Sequence, residues 1–382
     1  MKPGVRVAAM VLLAGALFAG GQGVEAQAVP SGAYVQVPAD HLLAGPYPLV
    51  DADVARSCRV VPEPPVGEPR PLWVRLLSQR VLHTPIIAPS GQLYVGGERG
   101  LTALDAHGKV LWEQALGALR FSPTLLASGD LLVVLEDGGL LTVSRGGAVL
   151  ARLWDLTAQV PPLPLVDGRV ALLDRRGEVH VVTPRGERHA RVKLRQGGPR
   201  QLTRAVDGSI LAASGTLVTR FTADGSVLGE VDAGAAITAG PVAAGERFYL
   251  ATGSEGHLHA FSLSGRPLLS APVRRGVGFP SLCLAADGNL WMPRDPRELL
   301  SLSPGGEARF AVALDGDPGP LLLAGGDVAL LVTSVGTLYA VERDGRIRFR
   351  VPVQARGLPR PVLAADGTIY IASRDGRLSA WR

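Results

Sequence analysis

Two histidines stand two residues apart in the sequence, at His257 and His259. On a β-strand this spacing places both rings on one face, where they could share a metal ion such as Zn²⁺. No third ligand is evident, and in other repeats the position of His259 is held by Tyr339, Ser379 and His180. We therefore interpret the pair as a variable strand position, and the sequence predicts no metal site.

Two aspartates, Asp315 and Asp317, flank Gly316 and could supply oxygen ligands for Ca²⁺. The longer series of oxygen-bearing residues that a calcium loop needs is missing, so a turn is the preferred interpretation. The sequence also contains no nucleophile elbow, no HExxH motif and no phosphate-binding glycine loop with its lysine. We expect no catalytic residue, no cofactor and no enzymatic activity.

The composition predicts a chain of many short elements. Glycine and proline supply 48 and 30 of the 382 residues, too many breakers for long helices, whereas 47% hydrophobic content is enough for a large core. The two cysteines, Cys58 and Cys283, allow at most one disulfide, and a lone buried thiol at Cys283 is the alternative. A net charge of +5 is modest for this length, so we expect no nucleic-acid partner.

The first 28 residues resemble a secretory signal. Lys2 and Arg6 precede an apolar run at residues 7–18, and small residues surround a cleavage site at Ala26 and Ala28. We predict a cleavable signal at residues 1–28, no transmembrane segment, and a periplasmic or secreted protein. An uncleaved anchor is the alternative. The first cysteine after the apolar run is Cys58, too distant for lipid attachment.

Similar segments recur along the chain at separations of 37 to 43 residues. The first turn glycine of each unit lies at Gly91, Gly129, Gly168, Gly208, Gly245, Gly288, Gly326 and Gly367. Between these turns, short apolar runs alternate with period two, and Asp-Gly pairs mark tight hairpins. Each unit is predicted to be a four-stranded antiparallel sheet that stacks on its neighbours around an axis, as in a β-propeller.

The two ends of the repeat region complement each other. Residues 71–77 resemble the fourth strand at residues 110–116, and the chain ends after a third strand at Trp381. We predict an all-β, eight-bladed β-propeller whose N-terminal strand completes the last blade. Seven blades is the alternative, because the unit around residues 294–297 is the least regular. The predicted domains are the signal at 1–28, a proline-rich linker or strap at 29–70, and the propeller at 71–382.

The first repeat carries the pattern AxDxxGKxxW at residues 103–112, which resembles the repeat of pyrroloquinoline-quinone-like β-propellers. The resemblance covers about residues 71–382. In that family the aromatic residue docks one blade on the next, which implies structural roles for Asp105, Gly108, Trp112 and Trp73.

The chain departs from the catalytic members of that family. Quinone-dependent dehydrogenases carry a vicinal cysteine pair and a calcium site, and neither is recognisable here. The resemblance is therefore to the non-catalytic branch, which includes a propeller lipoprotein of outer-membrane β-barrel assembly, although this chain lacks the lipid-attachment cysteine. Phe349 and Leu228 replace the tryptophan in comparable fourth strands.

Propeller topology sorts the loops between two faces, because the loops between blades share a face with the turns between second and third strands. The first set carries arginines that we predict to bind a partner, with the candidates at Arg80, Arg120, Arg200, Arg275 and Arg360. Turns on the opposite face carry acids, at Asp167, Asp207, Glu246, Asp287, Asp327 and Asp366. Converging guanidinium groups favour anionic partners. The alternative is that these arginines are only solvated.

We predict an exported, non-enzymatic propeller that acts as a binding or assembly scaffold in the cell envelope. The expected partner is an envelope protein or an anionic glycan, and the expected state is a monomer. The competing class is a quinone-binding protein or another enzyme with its site in the axial channel.

Overall fold

The computed structural model of the chain describes residues 53–153, 156–253, 256–273, 281–294 and 296–382. The predicted signal at 1–28 and residues 29–52 of the predicted strap lie outside the described residues. The described part forms eight four-stranded antiparallel sheets, the blades of a β-propeller. Within each blade we letter the strands A to D, from the axis outward. The described residues contain no α-helix and one 3-10 turn, at Gly325–Asp327.

Blades 1 to 4 consist of consecutive strands: β2 (Ile86–Ile87), β3 (Leu93–Gly96), β4 (Gly100–Leu104), β5 (Val110–Ala115); β6 (Thr124–Leu125), β7 (Leu131–Val134), β8 (Leu140–Val143), β9 (Val149–Leu153); β10 (Leu163–Pro164), β11 (Val170–Leu173), β12 (Glu178–Val182), β13 (Arg188–Lys193); β14 (Pro199–Arg204), β15 (Ile210–Ser214), β16 (Leu217–Phe221), β17 (Val227–Asp232). Blades 5 to 8 consist of β18 (Ile237–Ala244), β19 (Arg247–Thr252), β20 (His257–Ser262), β21 (Pro267–Pro272); β22 (Cys283–Leu284), β23 (Leu290–Arg294), β24 (Glu298–Leu302), β25 (Ala308–Ala313); β26 (Leu322–Ala324), β27 (Val328–Val332), β28 (Thr337–Val341), β29 (Ile347–Pro352); and β30 (Val362–Leu363), β31 (Ile369–Ala372), β32 (Arg377–Trp381), β1 (Pro71–Leu76).

The last blade takes its outermost strand from the front of the described chain. Strand β1 pairs antiparallel with β32, from Pro71 opposite Trp381 to Leu76 opposite Arg377. This pairing gives β32 a partner on the side that would otherwise be a free sheet edge. The predicted eight-bladed ring, completed by its N-terminal strand, is confirmed. The seven-bladed alternative is wrong, because the irregular unit around residues 294–297 forms a complete blade 6.

The A–B turns show why the recurring glycines are needed. Gly208 has a φ of +83°, which other residues rarely adopt, and its N–H donates to the Ala205 carbonyl at 3.0 Å. In the same turn the Asp207 carboxylate accepts from the Ser209 N–H at 3.0 Å. The Asp-Gly pair therefore closes the hairpin with its side chain and its backbone together.

The core lies between the blades. Strands B and C are almost wholly buried, whereas D strands such as β5 alternate between partly buried and exposed residues. One continuous apolar cluster joins residues of blades 7, 8, 1 and 2 and therefore runs across the junction where the ring closes. Both cysteines, Cys58 and Cys283, are buried, form no disulfide with each other, and belong to a second apolar cluster.

Aromatic side chains dock several blades on their neighbours. The Trp73 ring of blade 8 covers Gly108 of blade 1 so closely that a Cβ there would lie 2.9 Å from the ring, and its Nε1–H donates to the Ala106 carbonyl at 3.0 Å. Trp112 of blade 1 covers Gly147 of blade 2 in the same way, and its Nε1–H donates to the Arg145 carbonyl at 3.0 Å. These contacts link blade 8 to blade 1 and blade 1 to blade 2.

Phe349 and Leu228, which the sequence places at the position of the docking tryptophan, differ from each other in burial. Phe349 is the third residue of β29, as Trp112 is of β5, and it is buried whereas Trp112 is partly buried. Leu228 is 48% exposed, and the third position of β17 belongs to Gly229. The predicted equivalence of Leu228 to a docking tryptophan was therefore wrong by one residue, and a one-residue shift turns a side chain to the other face of a sheet.

Residues 53–60, which we call the axial segment, cross the inner ends of four successive blades. Backbone carbonyls of Val54, Ala55, Ser57 and Cys58 accept from N–H groups of the A strands of blades 4, 5, 6 and 7, at 2.8 to 3.0 Å. Arg56 is 2% exposed, and its guanidinium donates to the carbonyls of blade 4 and of the loop before blade 3. The chain itself therefore occupies the axis on the side of the A–B turns.

Residues 61–70 connect the axial segment to β1. The Gly325 N–H donates to the Pro62 carbonyl at 2.7 Å, and Arg348 donates to the Pro64 carbonyl at 3.3 Å. Arg70 then exchanges backbone hydrogen bonds with Arg382 at 2.8 and 2.9 Å. The described part of the proline-rich segment is thus held against blades 7 and 8 from the axis to the outer edge.

Candidate partner-binding face

One face of the propeller, which we call the loop face, consists of the loops between blades and the B–C turns. Hydrogen bonds join the two sets: the Arg374 N–H donates to the Arg356 carbonyl at 3.0 Å, and the Ser334 N–H donates to the Asp317 carbonyl at 2.9 Å. The opposite face, which we call the turn face, consists of the A–B and C–D turns. Loop-face groups are therefore positioned by a hydrogen-bonded scaffold around the ring.

The four predicted arginines that the structure describes lie on the loop face at different blades. Arg80, in the loop before blade 1, and Arg200, near the start of β14, are exposed. Arg120 is partly buried, because its guanidinium donates to Gln159 at 3.1 Å and lies 5.8 Å from the centre of the Phe121 ring. Arg360 is only 5% exposed. The fifth candidate, Arg275, lies outside the described residues.

Acidic groups on the loop face reduce the difference in charge that the sequence predicts between the two faces. Arg195 pairs with Glu230 at 3.0 Å, and Arg297 lies 3.6 Å from Asp317. Other exposed acids of this face are Glu98, Glu136, Asp137, Asp315 and Asp375. By contrast, the guanidinium groups of Arg80, Arg175 and Arg200 form no ion pair with any described residue. These three exposed cations can meet an external anion.

Acids of the turn face serve the turns that carry them. The Asp167 carboxylate accepts from the Arg169 N–H at 3.0 Å, and Asp207 pairs with Arg220. Burial opposes ionisation of Asp207, but hydrogen bonds from Ser209 and Arg220 outweigh it and hold the pKa of this carboxyl below its usual value. Much of the acidic pattern on this face is therefore explained by local structure.

A cavity of about 390 Å³ opens in the middle of the loop face, and sequence reasoning did not find it. It is lined by the residues that lead into the A strands of blades 1, 2, 3, 7 and 8, together with the end of β31. Arg356, Arg360 and Arg374 supply charge, and Leu82, Phe121 and Leu358 supply apolar surface. Among the described residues that line it, none is acidic.

The bottom and one side of the cavity are fixed by internal contacts. Pro161 lines the cavity, and its carbonyl accepts from the buried Arg56 guanidinium of the axial segment at 3.3 Å. His83 lines the cavity too, and its Nε2 lies 2.7 Å from the Leu119 carbonyl. Burial lowers the pKa of His83, more than that contact raises it, so the ring is neutral at pH 7.

The two histidines with metal-like spacing make other contacts. The rings of His257 and His259 are 6.3 Å apart, and His259 Nε2 lies 2.9 Å from the Thr252 hydroxyl. Burial and the neighbouring His257 both lower the pKa of His259. The Asp315 carboxylate accepts from the hydroxyls of Thr333 and Thr337 at 2.8 and 2.6 Å, as expected for a residue that holds a turn.

Blade 3 contains a group that the sequence reasoning missed. Asp174, Glu178 and His180 bring potential metal-binding atoms within 4.8 Å of one another. His180 Nε2 lies 3.0 Å from the Asp174 carboxylate, and Glu178 pairs with Arg191 at 2.6 Å. In blade 5 the same two positions hold the Thr252–His259 contact, so we interpret the group as a structural link between the B–C turn and strand C.

No helix in the described ranges is long and apolar enough to cross a membrane. Eight four-stranded blades, joined by loops that meet on one face and closed by β1, define an eight-bladed β-propeller. Residues 68–217 match the family model described as outer membrane protein assembly factor BamB. This match confirms the resemblance to pyrroloquinoline-quinone-like β-propellers that the repeat predicts. A comparison with curated protein sequences finds no match.

Solved structures share the fold at low sequence identity. BamB from Moraxella catarrhalis is 14% identical with a TM-score of 0.65, and the match covers 82% of this chain and 97% of that one. Quinohemoprotein alcohol dehydrogenase from Comamonas testosteroni is 13% identical with a TM-score of 0.70, over 88% and 80% of the two chains. Sqt1 from Saccharomyces cerevisiae is 11% identical with a TM-score of 0.66, over 82% and 98%. At such identities the likeness concerns the fold alone.

Proposed function

We propose that this chain is an exported, non-enzymatic scaffold of the cell envelope that binds a protein or an anionic glycan through its loop face. The observation that carries the proposal is the set of exposed arginines on that face, at Arg80, Arg175 and Arg200, which have no ion pair among the described residues. Guanidinium groups match carboxylates and phosphates with two parallel hydrogen bonds, so such a rim favours an anionic surface.

The location in the envelope is proposed from the sequence. A basic start, an apolar run at 7–18 and a small-residue site before residue 29 are typical of a secretory signal. The similarity of residues 68–217 to the BamB family model agrees with a scaffold or assembly role there. We propose a periplasmic or secreted monomer.

The test reverses charge on one face at a time. Arg80→Glu, Arg175→Glu and Arg200→Glu together change the loop face and leave alone Arg120 and Arg360, whose side chains are packed. The matched control makes the same charge change on exposed C–D turns of the other face, at Lys109, Arg145 and Arg185. Both variants should keep the circular dichroism spectrum and melting temperature of the wild type.

Tagged proteins are then used to capture partners from envelope extracts and to bind an immobilised anionic polysaccharide at low and high salt. We expect the loop-face variant to capture about tenfold less partner than the wild type, and the control to capture as much as the wild type. Only the loop-face variant removes the cations that would pair with an anionic partner. Equal capture by both variants, or equal loss, would overturn the proposal. Capture of a protein from the extract by the wild type indicates a protein partner, and retention of the wild type on the polysaccharide indicates a glycan.

A second candidate function is an enzyme with its active site near the axis. This candidate is supported by the fold that the chain shares with quinohemoprotein alcohol dehydrogenase. The axial segment argues against it, since residues 53–60 occupy the axis beside blades 4 to 7. Titration with pyrroloquinoline quinone and Ca²⁺, read by absorbance and calorimetry, tests this candidate. Saturable binding of one quinone per chain would favour the enzyme.

A further inference from the structure

The cavity on the loop face has the size of a small-ligand site. Its volume of about 390 Å³ lies at the lower end of the range for pockets that bind small molecules. Because the axial segment occupies the axis on the turn-face side, with Arg56 bonded to Pro161 of the cavity lining, a ligand would enter from the loop face. A folded protein loop would not fit in this volume, whereas a small molecule or the last residues of a chain would.

The charge around the cavity is of one sign. Arg356 and Arg374 line it with exposed side chains, and Arg360 lines it from a buried position. None of the described lining residues carries a negative charge, and the one histidine among them, His83, is neutral at pH 7. A recessed site bordered by cations raises the local concentration of anions.

Apolar side chains line part of the cavity, which restricts the kind of anion. Leu82, Phe121 and Leu358 lie beside the arginines. An inorganic ion would leave these side chains in contact with water, whereas an apolar group attached to the anion would cover them. Guanidinium groups pair best with planar carboxylates, to which they donate two parallel hydrogen bonds.

The loop that carries two of the arginines is held in an unusual conformation. Gln354 and Leu358 have φ angles of +50° and +53°, a region that residues other than glycine rarely adopt. The Arg356 N–H donates to the Ser373 hydroxyl at 2.7 Å, which fixes the loop against the end of strand β31. Backbone strain that the surrounding structure maintains is concentrated at functional sites.

We propose that this cavity binds a carboxylate attached to an apolar group, present either as a free small acid or as the C-terminal residue of a polypeptide. Arg356 and Arg374 bind the carboxylate, and Phe121 and Leu358 cover the apolar group. The cavity residues differ from those changed in the partner-capture test, so binding in the cavity and binding at the rim can fail independently.

The experiment measures binding of four probes by calorimetry: N-acetyl-leucine, its amide, and a Gly-Gly-Leu peptide with a free or an amidated C-terminus. For a probe this small we expect a Kd of roughly 1 mM. The free acids should bind about tenfold or more tightly than the amides, because the amides lose the charge-assisted hydrogen bonds. A tighter peptide acid points to a polypeptide end, and equal affinity of the two acids points to a free acid; both agree with the proposal.

Variants show whether the arginines of the cavity cause this preference. Arg356→Ala with Arg374→Ala should weaken binding of the acids about tenfold or more and should remove the preference over the amides. Arg145→Ala with Arg185→Ala, two exposed arginines of the turn face, should leave the affinity within about twofold of wild type. If the first pair reduces folding, Arg356→Gln with Arg374→Gln replaces it.

Three results would overturn the proposal: no saturable binding of either acid at about ten times the expected Kd, equal binding of acids and amides, or equal effects of the two arginine pairs. A wild-type protein that captures an envelope partner but binds no acid would reject the cavity ligand while leaving the proposed function intact.

Discussion

Removal of one tryptophan tests how the ring is closed. Trp73 on β1 packs on Gly108 of blade 1 and lies 5.8 Å from the ring of Tyr370 in its own blade. Trp112 makes the same set of contacts between blades 1 and 2, including a 5.9 Å distance to the ring of Tyr94. The perturbation is Trp73→Ala, and Trp112→Ala is its twin at a junction where the chain runs directly from one blade to the next.

The expected loss follows from the burial of the side chain. Replacing a fully buried tryptophan by alanine costs roughly 3–5 kcal/mol, and Trp73 is only partly buried, which reduces this to about 2 kcal/mol. Its hydrogen bond to the exposed Ala106 carbonyl adds up to about 1 kcal/mol. For a folded unit of about 330 residues, a total of 2–3 kcal/mol lowers the melting temperature by about 3–4 °C.

Chemical unfolding followed by far-ultraviolet circular dichroism measures the loss for both variants. Leu72→Ala is the control, because this side chain on the same strand is 54% exposed and its loss should cost less than about 0.5 kcal/mol. We expect Trp73→Ala and Trp112→Ala to be destabilised alike. A Trp73→Ala protein as stable as the control, with Trp112→Ala destabilised by about 2–3 kcal/mol, would refute closure of the ring by this contact.

Two further measurements test local packing and charge. Gly345→Ala should have a clearly lower melting temperature than Gly129→Ala. The two glycines have similar φ angles, +88° and +83°, but only a Cβ at position 345 would meet a ring, at 2.8 Å from Phe310. Equal melting temperatures of the two variants would contradict this explanation. Burial opposes ionisation of Asp174, but its bond to His180 and two backbone N–H groups lower the pKa of this carboxyl below 3.8. The ionised Asp174 therefore contributes its full stabilisation above about pH 5, and this contribution is lost as pH falls through the lowered pKa. The difference in free energy of unfolding between wild type and Asp174→Asn should decrease in acid. A difference that stays constant from pH 7 to pH 3 would exclude the pKa shift.

The blade structure could be predicted from the sequence because each unit repeats the same local chemistry. Positive-φ turns need glycine, so the turn glycines marked the hairpins, and period-two runs marked strands with buried faces. Ring closure was predictable because the sequence of β1 resembles a fourth strand, and the sequence that follows β32 does not supply one. The register of a degenerate strand was not, since nothing local distinguishes Leu228 from Gly229 as the inward position.

The axial segment could not be predicted because its structure depends on partners that are distant in the sequence. Its hydrogen bonds reach backbone groups of four blades, which carry no side-chain pattern. Arg56 and Cys58 adopt φ angles of +58° and +59°, and residue type gives no signal for such conformations outside glycine. A buried arginine bonded to main-chain carbonyls, as at Arg56, is indistinguishable in sequence from a solvated one.

The candidate site was predictable to the level of a face but not of single residues. Topology alone sorted the arginines onto the loop face, whereas burial separates Arg360 from the exposed Arg80 and Arg200. The cavity escaped the prediction for a related reason. Its lining comes from loops of five blades, so its members share neither spacing nor motif.

Site-specific photocrosslinking in the native cells tests most directly whether the loop face is the functional one. A photoreactive amino acid replaces Arg176, an exposed residue of a B–C turn, in one protein and Lys109, an exposed residue of a C–D turn, in the other. Adducts are compared after irradiation at low and high salt. We predict a discrete, salt-sensitive adduct from position 176 and none from position 109. The same adduct from both positions, or an adduct from position 109 alone, would contradict the assignment of function to the loop face.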